Sequence, residues 1–306
     1  MQDIILHFSS RGGEVAKPDV VSPGAATSTV PNFSRADRFW GTSMASPYSA
    51  GVMSLILSAA QVEFPDVKIP SKFLYTILRE SAVSMEGYSK IDQGSGMINV
   101  PKAYELLKKY IKSGELKNFE TYTIDAFSPN MPKEKGPCMY VRNGSYLTGD
   151  ESFSFSADRD NLIDTKKFYR LFNIKSDSDW LVPTTKQARI RNASPATISY
   201  RLDKSKMTEP GMYNGVIRAF RNNTNIPEFE MMATVIIPYE FNATNRYSKT
   251  WSGEVLEQGM HKRYFIEVPA GANSLRIKLN SDNDSYTNLR MYLHDPQGEE
   301  VMSNYL

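Results

Sequence analysis

The hydrophobic period of this chain changes near residue 114, and a chain that changes period must change architecture there. Before that point apolar residues recur at helical spacing. Phe73, Leu74, Ile77 and Leu78 form one stripe behind the start signals Pro70 and Ser71, predicting a helix from Ser71 to about Ser84 that covers a sheet face. Tyr104, Leu107 and Ile111 form another stripe, from Pro101 to Ser113, which Gly114 stops. Between about Ser43 and Gln61 small or apolar residues fall on nearly every side, which predicts a buried helix. Upstream, Ile4-Ile5-Leu6 and Asp19-Val20-Val21 read as short strands of a buried parallel sheet.

After the change the segments alternate with period two, as in Ser152-Phe153-Ser154-Phe155-Ser156 and Ala233-Thr234-Val235-Ile236-Ile237, with Asn, Gly, Pro and Asp turns between them. This is the pattern of a β-sandwich. A further β segment begins near Trp251 and includes Tyr264 to Val268 and Leu275 to Leu279. The expected organisation is an α/β domain over 1–114, an all-β sandwich over 115–242, and the start of a second, incomplete β domain over 243–306. Because the chain opens on a strand of the kind found inside a sheet, it is expected to be part of a longer protein.

Composition excludes several partners. Lys and Arg number 36 against 34 Asp and Glu, a net charge of +2, so no broad basic face exists for nucleic acid. The apolar stretch from Val52 to Ala60 is far shorter than the ~18 residues of a membrane span. The only cysteine, Cys138, lacks Cys or His neighbours at metal-ligand spacing and cannot form an internal disulfide, which fits a cytoplasmic setting. Asp282-Asn283-Asp284-Ser285 lacks the acidic ladder, glycine and glutamate of a calcium loop and reads as an exposed turn. No metal and no cofactor is expected.

The chemistry concentrates in Gly41-Thr42-Ser43-Met44-Ala45-Ser46-Pro47, which places a serine where a loop enters a helix, behind a glycine that permits close backbone approach. Ser43 there serves either as an N-cap or as a nucleophile whose own amide donates to a developing oxyanion. Pro47 falls early in the helix, where its missing amide loosens the start. This string resembles the serine motif of the subtilisin family. It stands in order with Phe8-Ser9-Ser10-Arg11-Gly12, Lys17-Pro18-Asp19-Val20-Val21-Ser22-Pro23-Gly24 and Gly94-Ser95-Gly96-Met97-Ile98-Asn99-Val100, which resemble other family elements. Thr29-Val30-Pro31-Asn32 and the run from Gly259 to Pro269 resemble the large, tripeptidyl-peptidase branch of that family.

The resemblance implies peptide-bond hydrolysis through an acyl-enzyme on Ser43, with Gly41 and Thr42 supporting the oxyanion from the backbone and the Thr42 hydroxyl. It implies that the aspartate and histidine lie upstream, since only 42 residues precede Ser43. His7 reads as a structural histidine on a buried strand, and His261 and His294 as solvated surface groups. Alone the chain is expected to be inactive. The expected partners are a peptide or protein substrate, a missing N-terminal catalytic segment and a possible second copy of the chain. The competing interpretation is an inert binding or assembly module derived from a subtilase.

Overall fold

The computed structural model describes residues 3–27, 38–149, 151–160, 167–222, 224, 226–257, 259–281 and 289–305. Thr29 to Asn32 and Asp282 to Ser285, singled out in the sequence, lie outside these. A short antiparallel pair, β1 (Ala25–Thr27) and β2 (Arg38–Trp40), leads into the helices. These are α1 (Thr42–Glu63), α2 (Ser71–Ser81), α3 (Lys90–Gln93) and α4 (Val100–Ser113). Local chemistry explains their ends. Asn99 caps α4 by accepting from the Lys102 amide, proline follows in its first turn, and Gly114 closes it in the left-handed conformation with φ 75°. Ser89 and Asp92 form a reciprocal capping box on α3.

The helices share a core in which Phe73, Ile77, Ala103 and Leu107 are fully enclosed. The ring of Phe73 meets those of Tyr110 and Phe119 edge-on, at 5.2 Å and 4.9 Å. The apolar stripe of α2 therefore packs on α4 rather than on a sheet. Helix α1, with small or apolar residues on nearly every side, is not buried as its sequence predicts. Only Val52, Ile56 and Ala60, one residue per turn on a single line, are enclosed, while Leu55 and Val62 are 62% and 84% exposed. Among the described elements α1 packs chiefly against α4, β1 and β2, which leaves Leu55 and Val62 uncovered.

The expected parallel sheet is also absent among the described residues. Ile4 to Leu6 are irregular, and Val21 makes only an isolated parallel bridge to Met97, which bridges Val83 in turn.

Beyond α4 two five-stranded sheets face each other. The first follows the order β4 (Lys135–Gly136), β3 (Tyr122–Phe127), β6 (Ser152–Arg159), β10 (Ala196–Leu202), β8 (Leu181–Pro183). The second follows β5 (Cys138–Val141), β12 (Phe229–Ile237), β11 (Gly211–Arg221), β7 (Tyr169–Ser176), β9 (Gln187–Arg191), with β5 and β12 parallel. On β10 alternate residues Ala196, Ile198, Tyr200 and Leu202 point inward, as the period-two pattern requires. Tyr200 stacks on Phe155 of β6, ring centres 4.7 Å apart. Cys138 is buried in this sheet system, and burial pushes its thiol up to about 12.

Farther on, β13 (Tyr239–Glu240) pairs with β14 (Ile266–Glu267), and β15 (Arg290–His294) with β16 (Glu300–Tyr305). The strand predicted over Tyr264 to Val268 shrinks to β14. Leu275 to Leu279 form no strand, and Leu275, Ile277 and Leu279 stay 38–41% exposed, because among the described residues no strand pairs with their backbone groups. No helix among the described residues is long and apolar enough to cross a membrane.

Candidate active site

Gly41 is the joint on which the site turns. Its φ of 157° and ψ of 173° belong to a region open essentially to glycine, and it lets the chain leave β2 and enter α1 within one residue. Its carbonyl accepts from the amides of both Met44 and Ala45, at 3.1 Å and 3.2 Å. Gly41 is therefore the cap residue, and no side chain caps α1. Ser43 stands inside the first turn with its side chain exposed, not in the N-cap position. Helix geometry leaves the Thr42 and Ser43 amides without intrahelical acceptors, and the helix dipole favours negative charge just outside. An exposed hydroxyl, a free-pointing amide and a positive helix end thus coincide at Ser43. Thr42 is exposed beside it.

The motifs that stand apart in sequence are joined through their backbones. The Gly12 amide donates to the Ile91 carbonyl at 2.7 Å. Val21 donates to Gly96 and accepts from Ile98, at 2.9 Å and 3.0 Å, while the Ser95 amide donates to Asp19 at 2.9 Å. The Gly41 amide donates to the Gly24 carbonyl at 2.8 Å, and a side chain on Gly24 would crowd the Gly41 carbonyl at 3.1 Å. Glycine at 24 is what allows this approach.

None of the three histidines is bonded to Ser43. His7 is exposed, not enclosed on a strand, and stacks on Tyr292 with ring centres 5.7 Å apart. The strand expected to bury it does not form. His294 is exposed at the end of β15, its Nδ1 3.1 Å from the Gly298 carbonyl. His261 departs from the surface role its charged neighbours suggest. It is half-buried, its Nε2 lies 3.1 Å from Arg263, and its ring is 5.9 Å from that of Tyr88.

Around His261 the segment before β14 is fastened to the helices. Asp92, 4% exposed, receives Arg11 at 3.3 Å and also Arg263. Burial opposes its ionisation, but the hydrogen bond and charge of Arg263 and the bonds from Ser89 outweigh burial and hold the carboxyl below its usual range. Burial first, then the charges of Arg263 and Arg11, push the His261 imidazole below its ordinary value. Sequence reading missed this cluster because its members, 11, 92, 261 and 263, are far apart in the chain. A charged pair in a segment otherwise rich in apolar residues was the available signal.

Among the described residues no group of His, Cys, Asp and Glu is placed to hold a metal ion. Neither of two clefts on the sandwich, one walled by Phe127, Tyr146 and Phe153 and the other by Asn173, Lys186 and Phe220, is lined by Ser43.

Residues 2–96 match the Subtilase family (Peptidase S8). Over 290 residues the chain is 29% identical to pyrolysin of Pyrococcus furiosus, a match covering 89% of this chain and 20% of pyrolysin. Tripeptidyl-peptidase 2 of Caenorhabditis elegans is 26% identical over 313 residues, covering 96% of this chain and 22% of the relative. The crystal structure of tripeptidyl peptidase 2 shares the fold with a TM-score of 0.53 at 20% identity, over 66% of this chain and 16% of that one. The chain spans about a fifth of the length of the curated relatives it matches. Residues 2–96 thus match the subtilase family, within a chain similar along most of its length to pyrolysin and tripeptidyl-peptidase 2.

Proposed function

We propose that this chain carries the nucleophile of a serine peptidase, and that Ser43 attacks the carbonyl of a peptide bond. Its Oγ–H proton passes to a histidine as the C–O bond forms. The histidine returns that proton to the departing amine as the C–N bond breaks, and water then releases the acyl group from Oγ. The Ser43 amide stabilises the oxyanion, supported by the backbone turn at Gly41 and by the Thr42 hydroxyl. The single observation that carries this proposal is Ser43 standing exposed in the first turn of α1, behind the Gly41 joint.

The aspartate and histidine come from sequence outside residues 1–306, and without them the chain is inactive. Support comes from the three histidines, none bonded to Ser43, and from the open apolar face of α1 at Leu55 and Val62, which a further catalytic segment would cover. Residues 1–114 hold the chemistry, while 115–242 and 243–306 are accessory β units. Similarity to tripeptidyl-peptidase 2 supports release of tripeptides, and the unpaired Cys138 favours a cytoplasmic setting.

A fluorophosphonate probe, which reacts with activated serines, tests this on the 306-residue chain and on the full-length protein. The expected result is labelling of the full-length protein only, abolished in Ser43→Ala. Labelling that survives Ser43→Ala, or a full-length protein that never labels, would overturn the proposal, and the second outcome would favour an inert assembly module.

A further inference from the structure

Pro47 creates a local weakness beside the nucleophile. Having no N–H, it cannot donate to the carbonyl of Ser43 four residues earlier, so the helix ladder lacks a rung at the residue whose position matters most. The turn is held from outside instead. The Gly41 amide is fastened to Gly24 at 2.8 Å, two residues before Ser43. Two residues after it, the Ala45 carbonyl accepts from the Ser22 hydroxyl at 2.7 Å. Ser49, one turn along, donates to the Ser22 hydroxyl at 2.9 Å and lies 3.2 Å from the same Ala45 carbonyl. The Ser22-Pro23-Gly24 loop therefore grips α1 on both sides of Ser43.

From this geometry we infer that Ser22 is a positioning residue for the nucleophile, an inference that rests on Ser43 being that nucleophile. Its hydroxyl touches no reacting atom. It replaces, through Ala45, the restraint that Pro47 removes, and Ser49 orients it by donating to its oxygen so that its own proton points to Ala45. Gly24 fixes the entry to the turn and Ser22 its exit, which restrains the backbone that carries the Ser43 Oγ and amide. Misplacement of a reacting group by about 1 Å can cost roughly 100-fold in rate, so loss of one of two restraints should cost roughly tenfold.

The test compares Ser22→Ala, Ser22→Thr and Ser43→Ala in the full-length protein by fluorophosphonate labelling rate, by kcat and KM on a peptide substrate, and by Tm. Ser22→Ala is expected to lower labelling and kcat roughly tenfold with KM and Tm unchanged. Ser22→Thr, which keeps the hydroxyl, should recover most of the loss. A wild-type labelling rate in Ser22→Ala would overturn the inference, as would a loss that follows a lowered Tm and is not recovered by threonine. Should Ser22→Ala fail to fold, Ser49→Ala takes its place, with a loss of roughly threefold expected and an unchanged rate overturning the inference. Labelling that persists in Ser43→Ala would instead refute the nucleophile itself, while a silent Ser43→Ala beside a normal Ser22→Ala would refute only the positioning role.

Discussion

The sandwich and the helices reach burial in different ways. In the sandwich each sheet supplies the other's cover, so that Phe155, Phe172, Ile198, Tyr200 and Met231 are closed off from solvent by strands within the same region. The helices close only where α2 and α4 meet, and α1 contributes a single line of buried residues while its opposite face stays open. A region built of two facing sheets completes its own core, whereas a helix with apolar residues beyond one stripe depends on what else is supplied to it.

The sharpest way to break this comparison is inside the sandwich. Phe172, fully enclosed and edge-on to Phe229 at 5.0 Å, should cost about 3–5 kcal/mol when replaced by alanine, read from urea unfolding. A cost below about 1 kcal/mol would mean that the sandwich core is not the closed unit described.

A smaller effect sharpens the junction between the two regions. Glu80 of α2, hydrogen-bonded from the Tyr110 hydroxyl at 3.2 Å, is pushed up to about 7 by burial, with Glu230 of β12 adding to the shift. Its folded value lies above its unfolded one. The stability it contributes is therefore fully present below about 4.5 and lost as the pH rises through about 7. Glu80→Gln should match wild type near pH 4 and exceed it at pH 8 by on the order of 2 kcal/mol. Equal urea midpoints at both pH values would contradict the assignment.

The smallest effect is on α1 itself. Leu55→Ala should change the stability of the 306-residue chain by less than about 0.5 kcal/mol, because that side chain is 62% exposed. A loss above about 1.5 kcal/mol would show the face to be covered within this chain and would erase the contrast between the regions.

Much of this organisation is legible one residue after another. The change of period near Gly114, the capping of α4 by Asn99 and Gly114, and the inward alternation along β6 and β10 all follow from local chemistry. The entry of the chain into a helix just after Gly41 is equally local, and it places Ser43 in an exposed first turn. What stayed hidden depended on partners. Ile4 to Leu6 and Leu275 to Leu279 have the apolar content of strands, yet a strand exists only where another pairs with it, and pattern alone cannot supply the neighbour. His261 reads as a surface residue from its basic neighbours and is instead held at the fastening formed with Asp92, Arg11 and Arg263.

By itself the sequence determined where the helices α1, α2 and α4 and the alternating strands β6 and β12 run, where the period changes, and which serine stands at a helix entrance. Those properties arise from propensities, caps and spacing within a few residues. Only the tertiary structure decided that α1 keeps an open face, that Ser22 and Gly24 grip the turn around Ser43, and that one buried carboxylate gathers two distant arginines. Each depends on groups brought together by packing, and contact across long stretches of chain leaves no local pattern to read.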